Sequence, residues 1–156
     1  MNPTNARLRV ATAEDLSVVE ALVREAYGHY IARIGKTPGP IQDIDDKRYA
    51  RYIDAGYVNL LQAGGEIVGL LVLIPKPDTL LLDNVAVSSS AQGRGFGRIL
   101  LAFAEARARQ LGFRDITLYT QELMHENLAI YRRYGYMETH RAEELGLKRV
   151  YLRKPL

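Results

Sequence analysis

Apolar residues along the 156 positions follow two rhythms, and their succession predicts strands interleaved with helices. Arg7-Leu8-Arg9-Val10 alternates with the two-residue period of a short strand. Thr12 and Asp15 have the spacing of a capping box, with hydroxyl and carboxylate placed to satisfy the free N–H groups that open a helix. Leu16, Val19, Val23, Tyr27 and Tyr30 then recur at three- and four-residue steps, predicting an amphipathic helix to about Arg33. Two glycines and two prolines between Gly35 and Pro40 predict a break without regular structure. A weaker helix is expected over about Asp45–Asp54. Tyr57–Gln62 and Ile67–Ile74 read as a hairpin turned at Ala63–Glu66, and a further strand follows Pro75–Asp78 and ends at Val87. Leu100, Phe103, Ala104, Ala108 and Leu111 share one face of a helix reaching about Leu111, with Glu105 and Arg109 paired on the other face and Gly112 as C-cap. A strand at Asp115–Thr120, a helix at Met124–Tyr134 ended by Gly135, and strands at Tyr136–Arg141 and Lys148–Arg153 complete the chain.

This order predicts an α/β (α+β) fold: a mixed, mostly antiparallel sheet of six to seven strands flanked by about four helices. With 47% hydrophobic residues and no linker or internal repeat, residues 1–156 are expected to form one domain. No apolar run approaches the roughly 20 residues that span a bilayer, and Met1–Arg7 lacks the apolar core of a signal peptide. The chain has no cysteine, which excludes disulfides, thiolate metal sites and a cysteine nucleophile; a cytoplasmic location is the expectation. His29, His125 and His140 have no metal-ligand spacing, so no metal is assigned. Asp43, Asp45 and Asp46 lack the glycine and glutamate of a calcium loop and read as the start of the second helix.

Charge is uneven. Residues 1–90 carry 9 Lys/Arg against 11 Asp/Glu, whereas residues 91–156 carry 12 against 7. The basic half holds Gln92-Gly93-Arg94-Gly95-Phe96-Gly97-Arg98, a glycine-rich loop between the strand Leu81–Val87 and a helix. Glycines at alternate positions let a ligand reach the backbone, and the helix start offers unpaired N–H groups with partial positive charge. Such a place suits phosphate. A Walker loop is excluded because Arg98-Ile99 follows the last glycine. The dinucleotide fingerprint fails because its sixth position is Arg98, and Asp115 opens the next strand instead of ending it. No basic run interleaved with aromatics suggests nucleic acid.

Gln92–Gly97 resembles the Gln/Arg-x-x-Gly-x-Gly/Ala loop of the GCN5-related N-acetyltransferase (GNAT) superfamily, which binds the pyrophosphate of acetyl-coenzyme A (acetyl-CoA). Val85-Ala86-Val87 and Tyr131-Arg132-Arg133-Tyr134-Gly135-Tyr136 are similar to that family's preceding strand and its Tyr-x-x-x-Gly-Phe/Tyr segment, and the likeness covers nearly the whole chain. One position departs: where many relatives carry Asn, this chain has Met124, with Asn127 one helical turn closer to Tyr131.

The resemblance implies acetyl-CoA as cosubstrate and direct transfer of its acetyl group to a primary amine in a ternary complex. Val85, Ala86 and Val87 would pair with the pantetheine arm, Asn127 would contact it, and Gln92, Gly93, Arg94, Gly95, Phe96, Gly97 and Arg98 would form the pyrophosphate cradle. The Val85 N–H would be the oxyanion donor and Tyr131 the general acid for the thiolate. Asp83, two residues before Val85, is expected to share its strand face and to deprotonate the amine through a water, with Glu122 as second candidate. Tyr27, Tyr30 and Arg33, with the Gly35–Pro40 loop, would wall the acceptor pocket. Their aromatic rings and the net-negative first half suit a small cationic amine, although polyamine, amino acid, aminoglycoside-like drug and protein N-terminus all fit the pattern. The alternatives to a small-molecule acetyltransferase are a non-catalytic acyl-CoA sensor and a protein N-terminal or lysine acetyltransferase. Monomer and homodimer are both compatible with the sequence, and no membrane partner is expected.

Overall fold

Seven strands, β1 (Arg7–Val10), β2 (Val58–Ala63), β3 (Glu66–Pro75), β4 (Leu80–Val87), β5 (Asp115–Gln121), β6 (Met137–Glu144) and β7 (Leu147–Pro155), form one sheet in the order β1-β2-β3-β4-β5-β7-β6. The structure is a computed structural model and describes residues 5–156; the first four residues of the polar N-terminal segment lie outside the described residues. Every strand pair is antiparallel except β4–β5, which is parallel and short, with Leu80 opposite Ile116 and Leu81 opposite Thr117. Past those two pairs the strands separate, and the sheet opens between the second half of β4 and that of β5.

Among the described residues six α-helices cover the sheet: α1 (Leu16–Tyr27), α2 (Tyr30–Ile34), α3 (Gly39–Asp45), α4 (Arg48–Asp54), α5 (Phe96–Gln110) and α6 (His125–Arg133). On one face α1 buries Val19, Leu22, Val23 and Tyr27; on the other α5 buries Phe96, Leu100, Leu101, Ala104 and Ala108. Because both faces are covered, β3 runs buried without interruption from Val68 to Ile74, where a half-covered strand would alternate. Gly69 sits in a tight place there: a Cβ at this position would stand 3.0 Å from the Ala86 carbonyl oxygen and 3.1 Å from Leu100, so a side chain would have to shift its neighbours on β4 and α5.

Three helical expectations are corrected. The helix predicted to Arg33 ends at Tyr27, and a turn at Gly28-His29 separates it from α2. The Gly35–Pro40 break does carry a helix, α3, whose Pro40 occupies the first turn, where a missing N–H costs nothing. The weaker helix divides at Lys47, whose φ of 58° interrupts it and leaves α4 to start at Arg48. At the N-terminus, Asp15 accepts the Thr12 N–H at 2.8 Å and pairs with Arg9 at 2.8 Å, but it opens a short 3-10 turn ahead of α1.

A bulge in β4 has the largest consequence for the site. Val72 pairs with Asn84 and Leu73 with Leu82, so Asp83 is the extra residue. Leu80 and Leu82 pack into the α5-side core; beyond the bulge Ala86 packs into the α1-side core, while Val85 and Val87 lie against the α5 side. One inserted residue therefore exchanges the faces of the strand.

Candidate active site

The opening between β4 and β5 leads to two cavities that share Tyr27, Asn127 and Tyr131. The larger, about 460 Å³, is lined by Val85, Ala86, Val87, Gln92, Gly93, Gly95, Phe96 and Gly97, together with Tyr30, Glu126 and Ile130. The smaller, about 260 Å³, is lined by Gln42, Asp43, Asp46, Arg48, Asp83, Asn84, Tyr119, Gln121, Met124 and Arg149, among others.

Local sequence explains the larger cavity. Gly93 and Gly95 adopt φ of 78° and 86°, which only glycine takes readily, and a Cβ on Gly93, Gly95 or Gly97 would meet no protein atom within 4 Å. The loop thus presents bare backbone to open space at the start of a 15-residue helix. Opposite it, Val85 O accepts the Tyr27 hydroxyl at 3.2 Å and Val87 O accepts Gln92 Nε2 at 3.3 Å. A strand residue directs its N–H and C=O to the same side, so the Val85 and Val87 N–H groups face the gap rather than β3. Phe96 is buried in the α5-side core and anchors the loop from beneath.

Side chains from distant elements meet where the cavities join. The Tyr27 hydroxyl donates to Asn84 Oδ1 at 2.7 Å, Asn84 Nδ2 donates to the Tyr49 hydroxyl at 2.9 Å, and that hydroxyl donates to Pro40 O at 3.3 Å. This buried chain ties α1, β4, α4 and α3 together. Tyr131 packs edge-on against Tyr136, with ring centroids 5.8 Å apart. Its hydroxyl has no hydrogen-bond partner among the described residues, and burial, with Tyr30 nearby, pushes its phenol well above the usual range. Tyr131 is thus a buried phenol with an unengaged hydroxyl at the junction of the two cavities.

The sequence model of the Acetyltransferase (GNAT) family matches residues 19–136, a span that runs from α1 through the glycine loop to Tyr136. The chain belongs to the GNAT family. It is 33% identical over 98 residues to the N-acetyltransferase YvbK of Bacillus subtilis (strain 168), itself uncharacterized, an alignment covering 62% of this chain and 61% of that one. The chain therefore spans about three fifths of that relative's length, and less of two other curated relatives it matches, the mouse N-alpha-acetyltransferase 80 and the rat N-acetyltransferase family 8 member 2. Among solved structures it superposes on the PaiA N-acetyltransferase of Thermoplasma acidophilum, in complex with coenzyme A, with a TM-score of 0.83 at 16% identity, covering 97% of this chain and 99% of that one. A GNAT acetyltransferase from Elizabethkingia anophelis with acetyl-CoA bound gives 0.70 at 21% identity, covering 97% and 99%. At these identities the likeness establishes the GNAT fold.

Within this GNAT chain the expected site residues separate into those that meet and those that do not. Val85, Ala86, Val87, Gln92, Gly93, Gly95, Phe96, Gly97, Asn127, Tyr131, Tyr27 and Tyr30 line the larger cavity. Arg94 and Arg98 do not; both are exposed or partly exposed, and Arg98 Nε donates to the Tyr134 hydroxyl at 3.3 Å. Asp83 lines the smaller cavity, not the Val85 cavity, because the bulge exchanges the strand faces between them. The expected shared face is thus corrected. Arg33 pairs with Glu126 at 2.7 Å, stacks over Tyr30 and lines neither cavity. Glu122 also lines neither and pairs with Arg141 at 3.7 Å. Met124, at the family's asparagine position, is buried in the cavity wall, where its sulfur accepts the Thr120 hydroxyl at 3.5 Å and Asn127 Nδ2 at 3.8 Å.

Sequence reasoning missed Asp43, Tyr119 and Arg149. Burial pushes the Asp83 carboxyl up to about 7, with Asp43 adding repulsion and Arg48 opposing it. Asp43 is itself pushed to about 6 by burial, despite Arg48 at 3.5 Å. A usable signal was present in β5, where Thr117, Tyr119 and Gln121 alternate with buried Ile116, Leu118 and Thr120. A strand in the sheet interior with a polar face needs something other than core opposite that face. No helix among the described residues is long and apolar enough to cross a membrane, and none of their His, Asp and Glu side chains group in threes to hold a metal ion.

Proposed function

We propose that the protein is an acetyl-CoA-dependent N-acetyltransferase that acetylates the primary amine of a small molecule by direct attack in a ternary complex. The observation that carries this reading is the convergence of a backbone-lined cavity and an acidic, side-chain-lined cavity on one free phenol, Tyr131. The larger cavity has the bare glycine backbone and gap-facing strand N–H groups that the pyrophosphate and pantetheine arm of acetyl-CoA require. The smaller, at about 260 Å³, suits a small molecule better than a folded protein segment.

Acetyl-CoA supplies an activated acetyl group as a thioester. Asp83, with its carboxyl near 7, accepts a proton from the acceptor ammonium through a water and leaves the lone pair that forms the new C–N bond. The Val85 N–H, already fixed by β4, donates to the carbonyl oxygen as charge builds there. As the C–S bond breaks, the sulfur keeps the electron pair and takes the Tyr131 proton; the nitrogen of the new amide gives up its second proton to solvent, and solvent restores the Tyr131 phenol. Asn84 is already engaged by Tyr27 and Tyr49, so it holds the β4 backbone in place and leaves proton transfer to Asp83 and Tyr131.

The test is release of coenzyme A thiol from acetyl-CoA across a panel of small amines, run beside calorimetric binding of acetyl-CoA. Amine-dependent release supports the proposal. Acetyl-CoA binding with no release for any amine would favour the sensor alternative.

A further inference from the structure

The smaller cavity carries charges of both signs, and their pairing is unequal. Arg48 stands between Asp43 at 3.5 Å and Asp46 at 3.8 Å, so its charge is already shared by two carboxylates. Asp83 has neither an ion-pair nor a hydrogen-bond partner among the described residues. Arg149 is nearly buried, with 12% of its side chain exposed, and its Nη1 donates to Glu144, which is 48% exposed, at 2.8 Å. That bond, with one to the Tyr151 hydroxyl, leaves most of the N–H donors of the guanidinium free. Glu144 is itself held from the other side by the Tyr151 hydroxyl at 2.5 Å.

Arg149 is also fixed in direction. Its guanidinium carbon lies 4.5 Å from the centre of the Tyr119 ring, and its Nη2 reaches across to Gly39, 3.9 Å from where a Cβ there would stand. The fork therefore hangs over the cavity between β5 and the start of α3, stacked on an aromatic and with little rotamer freedom left to lose. A planar, stacked, preorganised fork suits a carboxylate. At the other end, Asp83 suits an ammonium group. A ligand that supplied only the ammonium would leave Arg149 desolvated with unfilled donors, which is costly.

Resting on the acetyltransferase reading above, we propose that the acceptor is a small amino acid, held by its carboxylate on Arg149 with its amine at Asp83. The carboxylate sets the register, and the amine is presented to the gap beside Tyr131. The cavity volume of about 260 Å³ limits the acceptor to a free amino acid or a molecule of similar size.

Matched acceptors test this directly: each amino acid is compared with its amide and its decarboxylated amine by thiol release. The wild-type protein is expected to favour the acid by about tenfold or more in kcat/KM, the scale of a charge-assisted bidentate contact. Arg149→Gln is expected to bring that ratio close to one. Glu144→Gln, which removes a competing carboxylate from the fork, is expected to raise the ratio and keeps the test decisive if Arg149→Gln fails to fold. Amides or decarboxylated amines acetylated as well as the acids by wild type would overturn the inference while leaving the acetyltransferase standing. So would a ratio unmoved in both variants. Transfer to no amine, with acetyl-CoA still bound, would overturn both.

Discussion

The two cavities are neighbours, yet they are made by different means. The larger is built by consecutive residues: a strand, a glycine loop and a helix start, with backbone groups exposed to the gap. The smaller is built by side chains from α3, α4, β4, β5 and β7, up to about a hundred positions apart along the chain. A ligand of fixed chemistry can be met by a fixed stretch of backbone. A ligand that differs from relative to relative is met by side chains, which substitution changes without altering the strands that carry them.

Substitutions should therefore split by cavity, and the junction should be felt by both. The largest effect is expected at Tyr131: Tyr131→Phe should lower kcat about 10²–10³-fold, the range for loss of a positioned proton donor, while the acetyl-CoA Kd by calorimetry changes by less than about twofold. Next, Asp83→Asn should lower kcat/KM for the amine about 10–100-fold at pH 8. In the wild type kcat/KM should climb as pH rises through about 7, where Asp83 loses its proton, and in the variant that climb should vanish from the pH–rate profile. Gly95→Ala should weaken acetyl-CoA about 5–30-fold, because φ of 86° costs a side-chain-bearing residue roughly 1–2 kcal/mol and a loop that leaves this conformation to relieve the strain no longer aims its N–H groups at the cavity, with the amine KM little changed. A loss in amine KM as large as the loss in acetyl-CoA affinity would break the division between the cavities.

Two smaller effects concern stability. Tyr27→Phe removes the donor to Asn84 Oδ1 and Val85 O and should cost about 1–2 kcal/mol in urea unfolding, with kcat falling more than either ligand's affinity. Asp83 opposes the fold when charged. Its folded pKa near 7 exceeds the unfolded value near 4, so the folded state holds more protons in between. The stability this gives is fully present below about pH 4 and is lost as pH rises through about 7. Asp83→Asn should thus gain about 1 kcal/mol on wild type between pH 4.5 and pH 8, a figure kept small because the group is partly exposed and Arg48 and Arg149 stand near. Equal urea midpoint shifts at the two pH values would count against a charge effect at this carboxylate.

Much of this was legible along the chain. The three-to-four rhythm of Leu100–Ala108 reports which atoms face a core, a property of neighbours in sequence, whereas the two-residue rhythm of Leu8 and Val10 marks a strand but not its buried face, since Val10 is exposed. The glycine loop was legible for the same reason, since positive φ at Gly93 and Gly95 is a local demand that the residue type itself announces. Reading failed where local rules met tertiary context. Pro40 was read as a breaker, although in the first turn of α3 it forfeits no hydrogen bond. Asp43 reads from the sequence as a favourable charge at a helix start, whereas the fold partly buries it in the same cavity as Asp83.

What the sequence determined by itself is the succession of strands and helices in outline, the family and the glycine-rich loop, because each rests on periodicity or on residues close together in the chain. What only the tertiary structure decided is the smaller cavity. The bulge at Asp83 exchanges the faces of β4, the β4–β5 separation follows from two parallel pairs that do not continue, and Arg149 meets Tyr119 only once β5 and β7 pair. Each depends on strand register between distant segments, and one residue of register is enough to send a carboxylate from one side of the sheet to the other.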